Sequence, residues 1–164
     1  GARTRNESMR ASLDRLRDAG IQLIWQTGKV QADEWKKSAQ GRKGLVVTSF
    51  IGNMADAYAA ADLVISRAGA CAISELELLG KPSVLVPSPN VAEDHQTKNA
   101  RALESRGAAL LVPDMQARET LVDQVLGLLA DPHALEQMGK EARKLAQTDS
   151  DVRIARMALD MIKK

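Results

Sequence analysis

Short apolar runs alternate with helical patterns along this chain, and that alternation restricts its fold more than any other feature. The apolar runs are rich in Val, Ile and Leu, which predicts strands at 21–25, 45–48, 63–66, 83–86 and 109–112. The intervening and following patterns predict helices at 6–19, 31–40, 53–60, 71–79, 94–106, 118–129, 132–147 and 151–162. Buried strands separated by helices form a parallel sheet covered on both faces. We therefore predict an α/β fold with a Rossmann-like, doubly wound parallel sheet.

The composition is that of one ordinary globular domain and excludes several classes of function. The chain has 164 residues, of which 45% are hydrophobic and 27% charged. A net charge of +2 is too small to indicate a nucleic-acid partner, and 2% aromatic residues disfavour base stacking. One cysteine and two histidines exclude an internal disulfide and disfavour a structural zinc site. We predict neither a metal nor a cofactor.

The third predicted strand leads through a turn of small residues into a helix, with the sequence SRAGACAISE at 66–75. A helix N-terminus offers N–H groups without intrahelical partners, and small residues let an anion approach the backbone. Glu75, predicted in the first helical turn, would repel a phosphate but can accept hydrogen bonds from a ribose diol. The pattern indicates a nucleoside-diphosphate pocket. The alternative is a plain strand–helix connection in which Glu75 interacts with the helix dipole.

Two further clusters follow other predicted strands. In the first, Asn53 can cap a helix while Phe50 and Met54 offer apolar contact to a flat base, although both side chains could instead be core residues. In the second, Asp94 can cap a helix whose first turn carries His95 and Gln96. Imidazole and amide groups both donate and accept, so these two side chains can bind sugar hydroxyls. The alternative is a capped helix with solvated polar residues.

Other conspicuous residues have structural interpretations. We expect Cys71 to be a small buried or half-buried residue and not a nucleophile, because no histidine lies near it in sequence. Asp62 and Arg67 flank the third strand, which is consistent with an ion pair between them, and the two tryptophans are expected to pack. The sequence contains no nucleophilic triad, P-loop or metal-ligand spacing, so we assign no catalytic residue.

Taken together, these motifs resemble the C-terminal half of the peptidoglycan N-acetylglucosaminyltransferases. The matching segments are GARTRN at 1–6, FIGNM at 50–54, AYAAADLVISRAGA at 57–70, Glu75, GKP at 80–82, VPSP at 86–89 and DHQTKNA at 94–100. The resemblance extends to about residue 112, and the last three predicted helices are generic.

The resemblance implies a two-domain GT-B glycosyltransferase of which residues 1–164 are the single donor-binding domain, inactive alone. The enzyme would transfer N-acetylglucosamine from UDP-N-acetylglucosamine, with inversion, to a lipid-linked muramyl pentapeptide. It would act as a peripheral protein on the cytoplasmic face of the bacterial inner membrane, with the acceptor bound by a preceding domain. The chain begins where a strand and a phosphate loop would just have ended, so we expect the sheet to lack its first strand.

The resemblance also assigns roles to individual residues. Ile51 would meet the uracil through its backbone with apolar contact from Met54, and Glu75 would bind the ribose. The amides of Ala70, Cys71 and Ala72 would face the diphosphate, and some relatives have a hydroxyl where this chain has Ala72. His95 and Gln96 would bind the sugar hydroxyls. The full set of expected donor contacts is Ile51, Met54, Gly69, Ala70, Cys71, Ala72, Ile73, Ser74, Glu75, His95 and Gln96.

Two alternatives to this function stay open at the level of sequence. One is a related glycolipid glycosyltransferase or a UDP-N-acetylglucosamine 2-epimerase with the same architecture. The other, of a different class, is a nucleotide-binding module without a catalytic partner.

Overall fold

Each strand of the domain is followed by a helix, and every strand pairing is parallel. The structure, a computed structural model, describes residues 3–30, 32–89 and 94–146. The strands are β1 Leu23–Gln26, β2 Leu45–Thr48, β3 Val64–Ser66, β4 Ser83–Leu85 and β5 Leu110–Leu111. The helices are α1 Arg3–Ala11, α2 Leu13–Asp18, α3 Ala32–Ala39, α4 Met54–Ala60, α5 Ala70–Leu79, α6 His95–Glu104, α7 Ala117–Leu129 and α8 Pro132–Leu145. The predicted α/β fold is confirmed.

The sheet is divided into two parts. β1 pairs with β2, and β3, β4 and β5 form a second sheet in that order. Within the described ranges, no strand joins β1 to β3. A doubly wound sheet places its first strand between the second and the fourth. β1 and β3 correspond to those two places, so the division falls where the expected first strand would lie.

Strand β4 is the centre of the core because it is buried on both faces. Side chains alternate along β4 and into Val86, the residue after it, so Val84 and Val86 join one hydrophobic cluster while Leu85 joins the other. The first cluster also contains Met9, Leu13, Leu16, Trp25, Trp35, Leu121, Val122 and Val125. The second contains Tyr58, Ile73, Leu76, Ala100, Leu103 and Ala142. The two tryptophans pack as expected, with ring centroids 5.5 Å apart.

The first predicted helix is divided in two at Ser12. This residue leaves the helical conformation (φ −116°, ψ 9°), and α2 starts again at Leu13. Leu13 and Leu16 still reach the first core cluster, so the apolar face is kept across the break. The predicted helix at 151–162 lies outside the described residues. No helix in the part of the chain that the structure describes is long and apolar enough to cross a bilayer.

Helices α5 and α8 approach each other through two glycines. Gly80 ends α5 in the left-handed conformation (φ 61°), which glycine adopts without a steric penalty. A Cβ atom on Gly139 of α8 would lie 2.6 Å from the carbonyl oxygen of Gly80, which is closer than real Cβ contacts. Hydrogen at position 139 is therefore what permits the two backbones to meet.

We expect Gly139→Ala to lower the free energy of unfolding by about 1–3 kcal/mol, because one of the two backbones must shift to admit the methyl group. Gly127→Ala is the matched control, since no atom lies within 4 Å of a Cβ built at that position of α7. The control should be neutral or stabilising by up to about 1 kcal/mol. Urea denaturation of both variants checks the prediction, and equal effects would contradict it.

Candidate functional site

The predicted site residues all follow the carboxyl ends of strands. The 49–53 loop follows β2, the 67–69 turn follows β3, and the loop that begins at Val86 follows β4. In open α/β sheets, ligands bind in the crevice at this edge. Side-chain hydrogen bonds join the second of these segments to the third, and join the helix after the first to the helix after the second.

The start of α5 presents backbone amides as predicted. Its first intrahelical hydrogen bond runs from the Ile73 N–H to the Gly69 carbonyl, 3.0 Å. The N–H groups of Ala70, Cys71 and Ala72 precede that bond and point out of the helix end. The first turn contains no acidic residue. This end of the helix can therefore receive an anion.

Two expectations about α5 are wrong in detail. The helix begins at Ala70, one residue earlier than predicted, so Glu75 is its sixth residue and lies in the second turn. The carboxylate is thereby further from the anion-binding end than predicted. Cys71 is exposed, not buried or half-buried, because it is in the first turn, ahead of the residues that pack.

Arg67 connects the ends of three strands. Its Nη1 donates to the carbonyls of Val86 (2.9 Å) and Pro87 (3.0 Å) and pairs with Asp114, which follows β5. The expected ion pair with Asp62 is wrong, and Asp62 is exposed. The two residues lie at opposite ends of β3, and five extended residues span roughly 16 Å. Arg67 therefore holds together the segments that follow β3, β4 and β5 at this edge of the sheet.

The residues expected to meet a base are exposed. Phe50 is 68% and Met54 37% exposed, so the alternative that they are core residues is wrong. Asn53 caps α4 as predicted, its side chain accepting from the Asp56 N–H at 3.3 Å. The Ile51 N–H donates to Gln26 Oε1 at 2.8 Å, which leaves the Ile51 carbonyl as the group that can face a base. Sequence reasoning missed Gln26, although its place at the end of β1 marks it.

The sugar cluster is built differently from the prediction. Asp94 adopts the left-handed conformation (φ 53°) and makes no side-chain cap bond to α6, so its expected capping role is wrong. Gln96 instead accepts from the Ser88 N–H at 2.8 Å, which leaves its NH₂ group to face a ligand. His95 is exposed at the start of α6.

Asn99, which the sequence analysis missed, donates to the Ala68 carbonyl at 3.2 Å. Its spacing of three from Gln96 on one helix could have revealed it.

Glu75 has a partner that sequence reasoning also missed. The Tyr58 hydroxyl donates to Glu75 Oε2 at 2.7 Å, across the space between α4 and α5. The Tyr58 side chain is otherwise buried in the second core cluster. Burial, together with the neighbouring carboxylate, raises the pKa of Tyr58 to about 12. The phenol is therefore protonated, and a donor, at neutral pH.

Neither a metal centre nor the widest groove coincides with the predicted site residues in the described part of the chain. Residues 3–30, 32–89 and 94–146 contain no group of three or more His, Cys, Asp or Glu side chains that could hold a metal ion. A groove of about 830 Å³ lies between the end of α5 and α8, lined by Leu79, Pro82 and Leu135 among others. It is at the amino ends of β3 and β4 and includes none of the predicted site residues, so we do not assign the function to it.

Comparison with known proteins identifies the family. The profile of the glycosyltransferase family 28 C-terminal domain matches residues 1–154. The chain belongs to this family. The family 28 assignment agrees with the resemblance read from the motifs.

Two relatives of the family 28 domain carry the same name, UDP-N-acetylglucosamine–N-acetylmuramyl-(pentapeptide) pyrophosphoryl-undecaprenol N-acetylglucosamine transferase. The protein of Porphyromonas gingivalis W83 is 52% identical over 156 residues, which cover 94% of this chain and 41% of the relative. That of Phocaeicola vulgatus is 51% identical over 160 residues, covering 95% and 42%. The crystal structure of Acinetobacter baumannii MurG matches with a TM-score of 0.81 at 31% identity, covering 96% of this chain and 46% of that one. The chain thus spans less than half the length of these relatives.

The single tyrosine, Tyr58, should ionise at a higher pH than an ordinary tyrosine. It is the only tyrosine in the chain, so tyrosinate absorbance reports it directly. Its folded pKa of about 12 lies above the unfolded value of about 10, so its contribution to stability is present below pH 10 and is lost as the pH rises towards 12. Wild type should therefore lose more stability across that window than Tyr58→Phe. Equal losses, or a tyrosinate transition near pH 10, would contradict the assignment.

Proposed function

We propose that this chain is the donor-binding domain of an inverting glycosyltransferase that transfers N-acetylglucosamine from UDP-N-acetylglucosamine during peptidoglycan synthesis. The observation that carries the proposal is the start of α5, where the Ala70, Cys71 and Ala72 amides lie one turn ahead of Glu75. An anion acceptor and a diol acceptor at that spacing suit a nucleoside diphosphate. The names of the relatives support the choice of sugar and reaction.

The chemistry of the proposed transfer suits this helix end. Cleavage of the bond between sugar and phosphate builds negative charge on the departing UDP. Oriented N–H groups stabilise developing charge without having to reorganise during the reaction. In this proposal Gly69 lets the diphosphate approach closely, and Ile73 and Ser74 complete the wall of the turn behind the amides.

Base and sugar would lie on either side of the diphosphate. The Ile51 carbonyl would accept from the uracil N3–H while Met54 covers the ring. His95 and the NH₂ group of Gln96 would bind hydroxyls of N-acetylglucosamine. Gln96 is held in place by Ser88, so its donors are presented without a large entropic cost on binding.

The remaining parts of the proposed enzyme would lie in a preceding domain of GT-B type. We propose that this domain binds the undecaprenyl-diphosphoryl muramyl pentapeptide at the cytoplasmic face of the inner membrane and carries the catalytic base. Between that domain and residue 1, the first strand of this sheet would fill the gap between β1 and β3. The proposal is supported by the parallel strands flanking that gap and by the greater length of the relatives.

Removing the ribose acceptor tests the nucleotide site. Glu75→Ala should weaken UDP binding by about 1–3 kcal/mol, through loss of hydrogen bonds to a charged acceptor. Glu77→Ala is the matched control on the same helix, because residues two apart face different sides. Isothermal titration calorimetry on the intact gene product measures both. Unchanged UDP affinity in a folded Glu75→Ala variant would refute the ribose role.

Changing the sugar donor tests the other half of the site. Gln96→Ala removes both donors without adding a charge, so it should weaken UDP-N-acetylglucosamine by about tenfold more than UDP. A similar loss for both ligands would contradict a sugar contact. Tighter wild-type binding of UDP-glucose or UDP-galactose would point to a different transferase.

A further inference from the structure

The hydrogen bond between Tyr58 and Glu75 joins a buried side chain to an exposed one. The Tyr58 ring is 8% exposed and is packed in the second core cluster with Ile73 and Leu76. Glu75 is exposed on α5. Among the described residues, Tyr58 is the only hydrogen-bond partner of the Glu75 side chain. The orientation of this exposed carboxylate is therefore determined by a hydrogen bond from a side chain that is packed in the core.

The geometry leaves half of the carboxylate available. Tyr58 donates to Oε2 at 2.7 Å, a length typical of a charge-assisted O–H···O⁻ bond. Oε1 and the remaining lone pairs of Oε2 can still accept. An unrestrained glutamate would lose the freedom of several side-chain torsions on binding a ligand, whereas this one has already lost much of it.

The same bond connects two parts of the candidate site. Tyr58 is in α4, the helix that begins with Met54, and Glu75 is in α5, the helix that begins with the amides. Residues expected to meet the base and the ribose are thereby held at a fixed separation.

We propose that Tyr58 is a positioning residue for nucleotide recognition, holding the Glu75 carboxylate so that it faces the 2′- and 3′-hydroxyls of the ribose. The inference rests on the proposed function, because it needs a ribose at Glu75. It adds a residue that touches no ligand and acts through another. The competing explanation is that the bond only ties α4 to α5.

A comparison of two ligands separates these explanations. UDP has the ribose diol and 2′,3′-dideoxyuridine diphosphate lacks it, so the ratio of their affinities measures recognition of the diol. We would measure both by calorimetry on the intact gene product, for wild type, Tyr58→Phe, Glu75→Ala and the double variant. Phenylalanine keeps the buried ring and removes only the hydroxyl.

Tyr58→Phe should weaken UDP by about three- to tenfold, the size of one hydrogen bond's net effect, and change the dideoxy affinity less than about twofold. Glu75→Ala should remove the preference for UDP. In that background Tyr58→Phe should have no further effect on either ligand, because there is no carboxylate left to position.

Ser8→Ala is the matched control for loss of a buried hydroxyl. Ser8 donates to the Ala117 carbonyl at 2.8 Å and ties α1 to the start of α7, and neither residue is among the expected donor contacts. This variant should lower stability and leave the ratio of UDP to dideoxy affinity unchanged. A change in that ratio for Tyr58→Phe therefore does not follow from a weakened helix contact.

A spectroscopic measurement provides a second test. If Glu75 is the partner of Tyr58 in solution, Glu75→Gln should lower the pKa of Tyr58 from about 12 while burial keeps it above the ordinary value. An unchanged tyrosinate titration would overturn the contact and the inference with it.

The outcomes also separate this inference from the proposed function. Normal UDP affinity in Tyr58→Phe, alongside a loss in Glu75→Ala, would overturn the role of Tyr58 and leave the ribose site standing. If Tyr58→Phe lowered the affinities for UDP and the dideoxy ligand equally, the bond would serve only to hold α4 against α5. Failure of wild type to bind UDP would overturn the proposed nucleotide site itself, whereas equal affinity for UDP and the dideoxy ligand would overturn the ribose role of Glu75.

Discussion

The burial of β4 on both faces is the constraint on which the rest of this domain depends. Because successive side chains of a strand point in opposite directions, Val84 and Val86 build one hydrophobic cluster and Leu85 builds the other. Helices must then cover both faces, and the parallel strands bring every following loop to one edge. The position of the candidate site is thus a result of how the core is packed.

Within that edge, three groups expected to meet the ligand are each hydrogen-bonded to the protein on one side. The Ile51 N–H donates to Gln26, and the side-chain oxygen of Gln96 accepts from the Ser88 N–H. One carboxylate oxygen of Glu75 accepts from the Tyr58 hydroxyl. In each case the complementary half of the group remains for a ligand. Such pre-organisation lowers the entropic cost of binding and makes the orientation of each group a property of the fold.

Patterns that are local in sequence were predicted well. Strand β2 has the predicted bounds, and most helices differ by a few residues at their ends. Strand β1 starts later than predicted because the Ile21 N–H bonds back to the Leu16 carbonyl and finishes the preceding helix. The expected cap at Asp94 was wrong because that residue is in the left-handed conformation and its side chain makes no cap bond to α6. The Tyr58–Glu75 and Arg67–Asp114 contacts join residues 17 and 47 positions apart, and no local pattern reveals which side chains the packing brings together.

The divided sheet has a consequence for the behaviour of the domain in solution. Strands whose edges are not paired expose N–H and C=O groups that can pair with any other extended segment, and natural proteins cover or interrupt such edges to avoid aggregation. Here β1 and β3 present two of these edges within the described residues, and Ile24 beside them is 45% exposed. Without a strand between them, copies of the domain are open to strand exchange with one another. In the proposed enzyme, a strand between β1 and β3 would pair both edges and would therefore also limit self-association of the domain.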